Sequence, residues 1–175
     1  MSNSEENEKT FCITATMSLV IALNANQINI LDLSPVQSIL DPLIEIGSLA
    51  NHEQQISFQI TFPRDPQDPR ELSEIPEIRL WFVRLDALYP WLPYLLDWKA
   101  GELARYAAML VPHHFHPKNG IQYNPEALEI FVMHKIFVLT RWMKIHSLEG
   151  RSSLKAMAQM FGYELDDGLF ELLST

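Results

Sequence analysis

The sequence predicts a single α+β domain in which a small N-terminal β-sheet, of two or three strands, packs against a mainly helical C-terminal half. Three observations carry this. Gln55 to Phe62 sets Ile56, Phe58, Ile60 and Phe62 in alternation with polar residues, the period of a half-buried strand. Ser34-Pro35 and Asn124-Pro125-Glu126 each combine a capping side chain with a proline suited to the first helical turn. Apolar residues after Trp91 recur at helical rather than strand spacing. A chain of 175 residues suits one domain, and a hydrophobic share of 47% is ample for its core.

Residues 1–10 are polar and acidic and read as a disordered tail, leaving 11–175 as the domain. Ile13 to Leu23 is rich in β-branched residues and predicts a strand that ends at Asn24 and Asn26. From a Ser34 cap a helix should carry Val36, Ile39, Leu40, Leu43 and Ile46 inward, kink or stop near Pro42, and close at Gly47. Roughly thirty residues separate the two strands, enough for a helical crossover, so that a parallel pair is allowed and the topology stays open. Pro63, Pro66, Pro69 and Pro76 mark an exposed loop with at most a short helical turn. Ile78 to Leu85 fits either period, and its Trp, Phe, Val and Ile content favours a third strand.

A helix should follow Trp91, with Leu95, Leu96, Leu103, Tyr106, Ala107 and Leu110 in the core, and stop at Pro112. The helix opened by Asn124 should reach about Ile145, with Leu128, Phe131, Val132, Ile136, Leu139, Trp142 and Met143 on one broad apolar face. Ile130, Phe137 and Val138 fall outside that face, so this helix is expected to be central. Ser152 or Ser153 should cap a short helix through Met160 that Gly162 ends, and the tail from Leu165 suits a last helical turn.

Thirteen Lys and Arg against 22 Asp and Glu give a net charge of −9, which repels phosphate backbones and argues against nucleic acid. Between His113 and Met160 six basic residues face three acids, a local +3 that leaves −12 elsewhere. The lone Cys12 excludes an internal disulfide and a cysteine-only metal site. No run approaches the ~18 apolar residues of a membrane span, so stable membrane insertion is not expected. The N-terminus resembles neither a secretory signal nor a transit peptide, and the chain reads as cytoplasmic and bacterial.

The stretch from Glu77 to His116 crowds Trp81, Phe82, Tyr89, Trp91, Tyr94, Trp98 and Tyr106 among arginines and carboxylates, a mixture used by core seams and interfaces alike. His113, His114 and His116 could join Asp97 or Glu102 around a metal, although the spacing does not enforce convergence, and no metal or cofactor is assigned. Asp86, Asp97 and Glu102 read as partners of Arg84, Lys99 and Arg105 rather than as an acid/base dyad. GxSxG, P-loop and GxGxxG motifs are absent, so no catalytic residue is assigned and the chain is not read as an enzyme. SLKAMAQMFGYE has the look of a helix-turn-helix start, but Glu164, Asp166, Asp167 and Glu171 follow where a basic recognition helix belongs.

The run PRELSEIPEIRLWFVRLDALYPWLPYLLDWKAGELARYAAMLVPH, then GIQYNPEALEIFVMHKIFVL, resembles the chlororespiratory reduction 6 family of cyanobacteria and chloroplasts. The likeness covers about Pro69 to Leu139, with LDLSP at Leu31 to Pro35 also similar, in the shorter cyanobacterial form. The resemblance implies an assembly factor for the photosynthetic NAD(P)H dehydrogenase-like complex, acting in maturation of its ferredoxin-like I subunit, which carries two [4Fe–4S] clusters. The expected partner surface comprises Trp81, Arg84, Asp86, Tyr89, Trp91, Trp98, Arg105 and Tyr106, with the basic His113–Met160 block as a second. The rival readings are a metal-dependent enzyme built on His113 to His116 and a small-molecule binding module with an aromatic pocket.

Overall fold

A computed structural model describes residues 18–96 and 102–174. The expected tail, Cys12, the start of the first strand, Asp97, Trp98 and Lys99 lie outside the described residues.

Strand β1 (Leu19–Asn24) buries Ile21 and Leu23. Its last residue doubles as a helix cap: the Gln27 amide donates to Asn24 Oδ1 at 3.1 Å and the Asn24 amide donates to Gln27 Oε1 at 3.0 Å. This reciprocal box opens the short helix α1 (Ala25–Asn29), where the two asparagines signal only the end of the strand. Helix α2 (Ser34–Glu45) begins as expected around Pro35, yet Ser34 does not cap it. The Ser34 amide instead donates to Asp32 Oδ1 at 2.9 Å, and this bond holds the Asp32 carboxyl below its ordinary range. The helix runs through Pro42, because burial of Val36 and Leu40 and packing of Leu43 outweigh one lost backbone bond. Gly47, at φ +66°, supplies the left-handed turn beyond its end.

Strand β2 (Ile56–Thr61) pairs in parallel with β1, Leu19 opposite Ile56 and Leu23 opposite Ile60, so α1 and α2 form the crossover. The proline-rich loop holds a single 3-10 turn, Leu72–Glu74. Helix α3 (Pro76–Leu88) then replaces the third strand expected over Ile78 to Leu85. Pro76 in the first turn and Glu77 beside the positive helix start favour it, and Ile78, Trp81, Phe82 and Leu85 are all buried along one helical face. The competing strand pattern needed Leu80 inside, and Leu80 is 50% exposed.

A single turn, α4 (Leu92–Leu95), precedes α5 (Glu102–Leu110), and Leu95, Leu96, Leu103, Tyr106 and Ala107 enter the core. Beyond the expected stop at Pro112, β3 (His113–His116) and β4 (Gly120–Tyr123) form an antiparallel hairpin that the sequence did not signal. Helix α6 (Pro125–Ile145) has the expected bounds, with Asn124 Oδ1 accepting from the Glu126 amide at 3.1 Å. It buries Val132, Ile136, Leu139 and Met143. Helix α7 (Arg151–Met160) starts on Gly150 without the serine cap, since a Cβ there would collide with the Tyr94 hydroxyl and the Met143 sulfur. Helix α8 (Asp167–Ser174) closes the fold, burying Phe170.

Trp81 sits at the centre. Its ring meets Phe82 edge-on at 5.2 Å and Phe58 of β2 at 6.0 Å, and its indole N–H donates to the Asp32 carbonyl at 2.9 Å. Through that residue α3 grips both the sheet and the crossover. Trp81→Ala should therefore lower unfolding free energy by about 3–5 kcal/mol in urea titration. Leu80→Ala, one residue away on the outer face, should change it by less than about 0.5 kcal/mol. Equal losses at the two positions would contradict the inward and outward assignment of α3.

Candidate partner-binding site

The eight residues expected to face a partner separate by depth. Trp81, Tyr89 and Tyr106 are buried, Asp86 and Trp91 are half-buried, and Arg84 and Arg105 are exposed. Trp98 lies outside the described residues.

The buried members do structural work with a residue whose depth the sequence had not indicated. Lys135, in the middle of α6, is 1% exposed, and its ammonium contacts Asp86 of α3. It also reaches the Pro90 carbonyl at 3.4 Å and lies 5.6 Å from the Phe131 ring centre. The Tyr106 hydroxyl of α5 donates to the same Asp86 oxygen at 3.3 Å. Asp86 therefore serves Lys135 and Tyr106, where the sequence suggested Arg84. Burial pulls the Lys135 ammonium below its ordinary value against the opposing pull of Asp86. Burial, reinforced by the Asp86 charge, pushes the Tyr106 phenol well above its own.

Around this network the aromatic residues form two chains. Phe58, Phe82 and Tyr106 meet edge-on and line an open groove of about 730 Å³ between β2 and α5, at whose wall Arg105 also stands. Tyr89 meets Trp91 at 5.8 Å, and Trp91 stacks on Trp142 at 6.1 Å with planes 5° apart. The Tyr89 hydroxyl donates to Asp41 Oδ1 at 2.9 Å, tying α3 to α2.

The histidines do not converge. Strand alternation sends His113 and His114 to opposite faces of β3. His113 accepts from Arg79 Nη2 of α3, 2.7 Å from its Nε2, while His114 and His116 are exposed. Among the described residues no group of three His, Cys, Asp or Glu side chains is placed to hold a metal ion.

The exposed part of the site is a stripe the sequence reading did not isolate. Leu80, Val83 and Leu88 are each roughly half exposed on α3, and Leu80, Arg84 and Leu88 follow one another at i, i+4 and i+8 along its outer surface. The signal for it was present: a helix apolar on both faces produces the very ambiguity that made Ile78 to Leu85 look like a strand. Apolar side chains on an outer helix face beside a guanidinium are a mixture that contact surfaces use.

A domain whose ionisable groups staple its helices together, and whose unburied apolar side chains gather on helix surfaces, fits the class of docking proteins. The chain belongs to the chlororespiratory reduction 6 family, whose model matches residues 23–172. Membership supports a role in assembly of the NAD(P)H dehydrogenase complex. No solved structure matches the chain. Among the described residues no helix is long and apolar enough to cross a membrane.

Two outcomes follow from the buried pair. Asp86→Ala should destabilise by about 3–5 kcal/mol, since it leaves an unmatched buried ammonium, whereas Lys135→Met should stay within about 1 kcal/mol of the parent. Denaturant titration of both variants checks this, and equal losses would contradict the pairing. Burial pushes the phenols of Tyr89, Tyr94 and Tyr106 above the ordinary tyrosine value. Their protonated forms are favoured in the fold, so their stabilisation is complete below pH 10 and is lost as pH rises through the folded values. Lys135 acts in the opposite sense, its burial cost easing as pH rises toward the ordinary lysine value. Thermal melts between pH 8 and 12 should show a fall in midpoint above about pH 10 that Tyr106→Phe makes shallower; an unchanged slope would remove Tyr106 from the account.

Proposed function

We propose that this chain is a cytoplasmic maturation factor that binds the immature ferredoxin-like I subunit of the photosynthetic NAD(P)H dehydrogenase-like complex, in the cyanobacterial form of the family. It holds that subunit while its clusters are installed and its neighbours dock. Family membership supports the assembly role. The observation that carries the contact is the outer stripe of α3, where Leu80, Val83 and Leu88 stand exposed around Arg84. An immature subunit presents apolar surface destined for its neighbours in the complex, and a stripe of this composition can cover such surface reversibly.

Of the eight residues, Arg84 and Arg105 lie where a partner can reach them, and the half-buried Trp91 and Asp86 back the contact. Trp81, Tyr89 and Tyr106 shape the surface from beneath by fixing α3 and α5. The exposed residues can therefore be altered without disturbing the core.

The test is recovery of the ferredoxin-like I subunit on the tagged full-length chain from a cyanobacterial extract. The parent chain should recover it, and the double variant Leu80→Asp/Arg84→Glu should recover about tenfold less while its melting temperature is retained. Parental recovery by the variant would displace the contact from α3. Failure of the parent chain itself to recover that subunit would overturn the partner.

A further inference from the structure

Helix α6 carries a second line of side chains directed away from the core, and it ends in a groove. Ile130 is 70% exposed, Phe137 is exposed, and Ile145 is 68% exposed. On a helical wheel Ile130, His134, Phe137, Arg141 and Lys144 fall within one narrow outward sector. Between α6 and α8, Phe137, Arg141 and Lys144 of that sector border a groove of about 530 Å³, completed by Thr140, Ile145 and Leu173. Thr140, Lys144 and Leu173 also line an adjoining cleft of about 660 Å³, where Arg151 and Glu149 stand at the start of α7.

The lining chemistry is specific in two respects. Apolar walls from Phe137, Ile145 and Leu173 alternate with cations from Arg141, Lys144 and Arg151, and Glu149 is the one lining carboxylate among the described residues. This occurs on a chain of net charge −9, so the groove is a local reversal of the molecule's own field. Thr140 stands where the two clefts meet.

We propose that the α6–α8 groove docks an acidic amphipathic segment of a partner protein, its apolar side chains against Phe137, Ile145 and Leu173 and its carboxylates against Arg141, Lys144 and Arg151. A helix laid in a groove, read through apolar anchors with charges alongside, is the recognition mode that this alternation of lining residues suits. The same cations steer an acidic segment toward the groove and exclude a basic one. The contact deepens the docking role and rests on it for the partner's identity alone, since the α3 stripe lies on a different helix.

A synthetic probe separates this contact from the choice of partner. A fluorescein-labelled peptide of about four helical turns, with Leu on one face and Glu on the other, is titrated with the full-length chain by anisotropy. Its counterpart with Lys in place of Glu, and phosphatidylglycerol vesicles, are run in parallel. The acidic peptide should bind in preference to both. Affinity should fall about tenfold in Arg141→Glu/Lys144→Glu, and that variant should gain affinity for the Lys peptide. Phe137→Ser should weaken the acidic peptide independently of charge, and melting curves check that each variant is folded. Absent binding of the acidic peptide, equal binding of the two peptides, undiminished affinity in the charge-reversed chain, or preferential binding to vesicles would overturn the proposal. None of these outcomes bears on recovery of the ferredoxin-like I subunit through α3.

Discussion

Placing an ammonium group inside a helical core is costly unless a carboxylate meets it, and Lys135 meets Asp86 across the seam between α6 and α3. That pairing constrains the architecture around it. Asp86 must sit on the inward edge of α3, which turns Leu80, Arg84 and Leu88 outward. The Tyr106 hydroxyl must reach the same carboxylate, which fixes α5 alongside. With Trp81 bonded to the Asp32 carbonyl, α3 becomes the element that sheet, crossover and C-terminal helices all contact. The aromatic and charged residues crowded between Glu77 and His116 are largely the internal fittings of that arrangement, and the proposed surface for a partner is the side of α3 that they do not occupy.

Much of the fold was legible because local signals and burial agreed. Gln55 to Phe62 alternates and is a strand with Ile56 buried; Asn124-Pro125-Glu126 opens a helix that ends at Ile145. The length of the intervening chain allowed the parallel pairing of β1 and β2 without deciding it. Where local and tertiary demands diverged, reading failed in recognisable ways. Ile78 to Leu85 looked strand-like because α3 is apolar on two faces, one for the core and one left outside, and periodicity cannot distinguish a second exposed face from a second buried one. The β3–β4 hairpin was missed because His113-His114-Phe115-His116 has little strand character of its own; the turn at Gly120 and the contact of His113 with Arg79 hold it. Ser34, Ser152 and Ser153 are good capping residues that their helices do not use, since Asp32 and a close-packed Gly150 occupy those roles.

The candidate site was legible in region and not in depth. Composition located the segment that organises the molecule, and the family resemblance over Pro69 to Leu139 was extended by the match to residues 23–172. What composition could not supply was which aromatic residues face inward, because tryptophan and tyrosine serve cores and interfaces equally well. Nor could it single out Lys135, counted with the basic surface block and found in the core. The exposed leucines of α3 were visible as residues and became meaningful only when the helix gave them a common face.

The proposed contact is between the outer α3 face, held from behind by Asp86 and Lys135, and the ferredoxin-like I subunit. Hydrogen–deuterium exchange on the full-length chain, alone and with that purified subunit, tests it most directly. The account predicts slowed exchange along α3 and the adjoining part of α5, with the β3–β4 hairpin unchanged. Protection confined to the hairpin, or no change anywhere in the presence of the subunit, would contradict it.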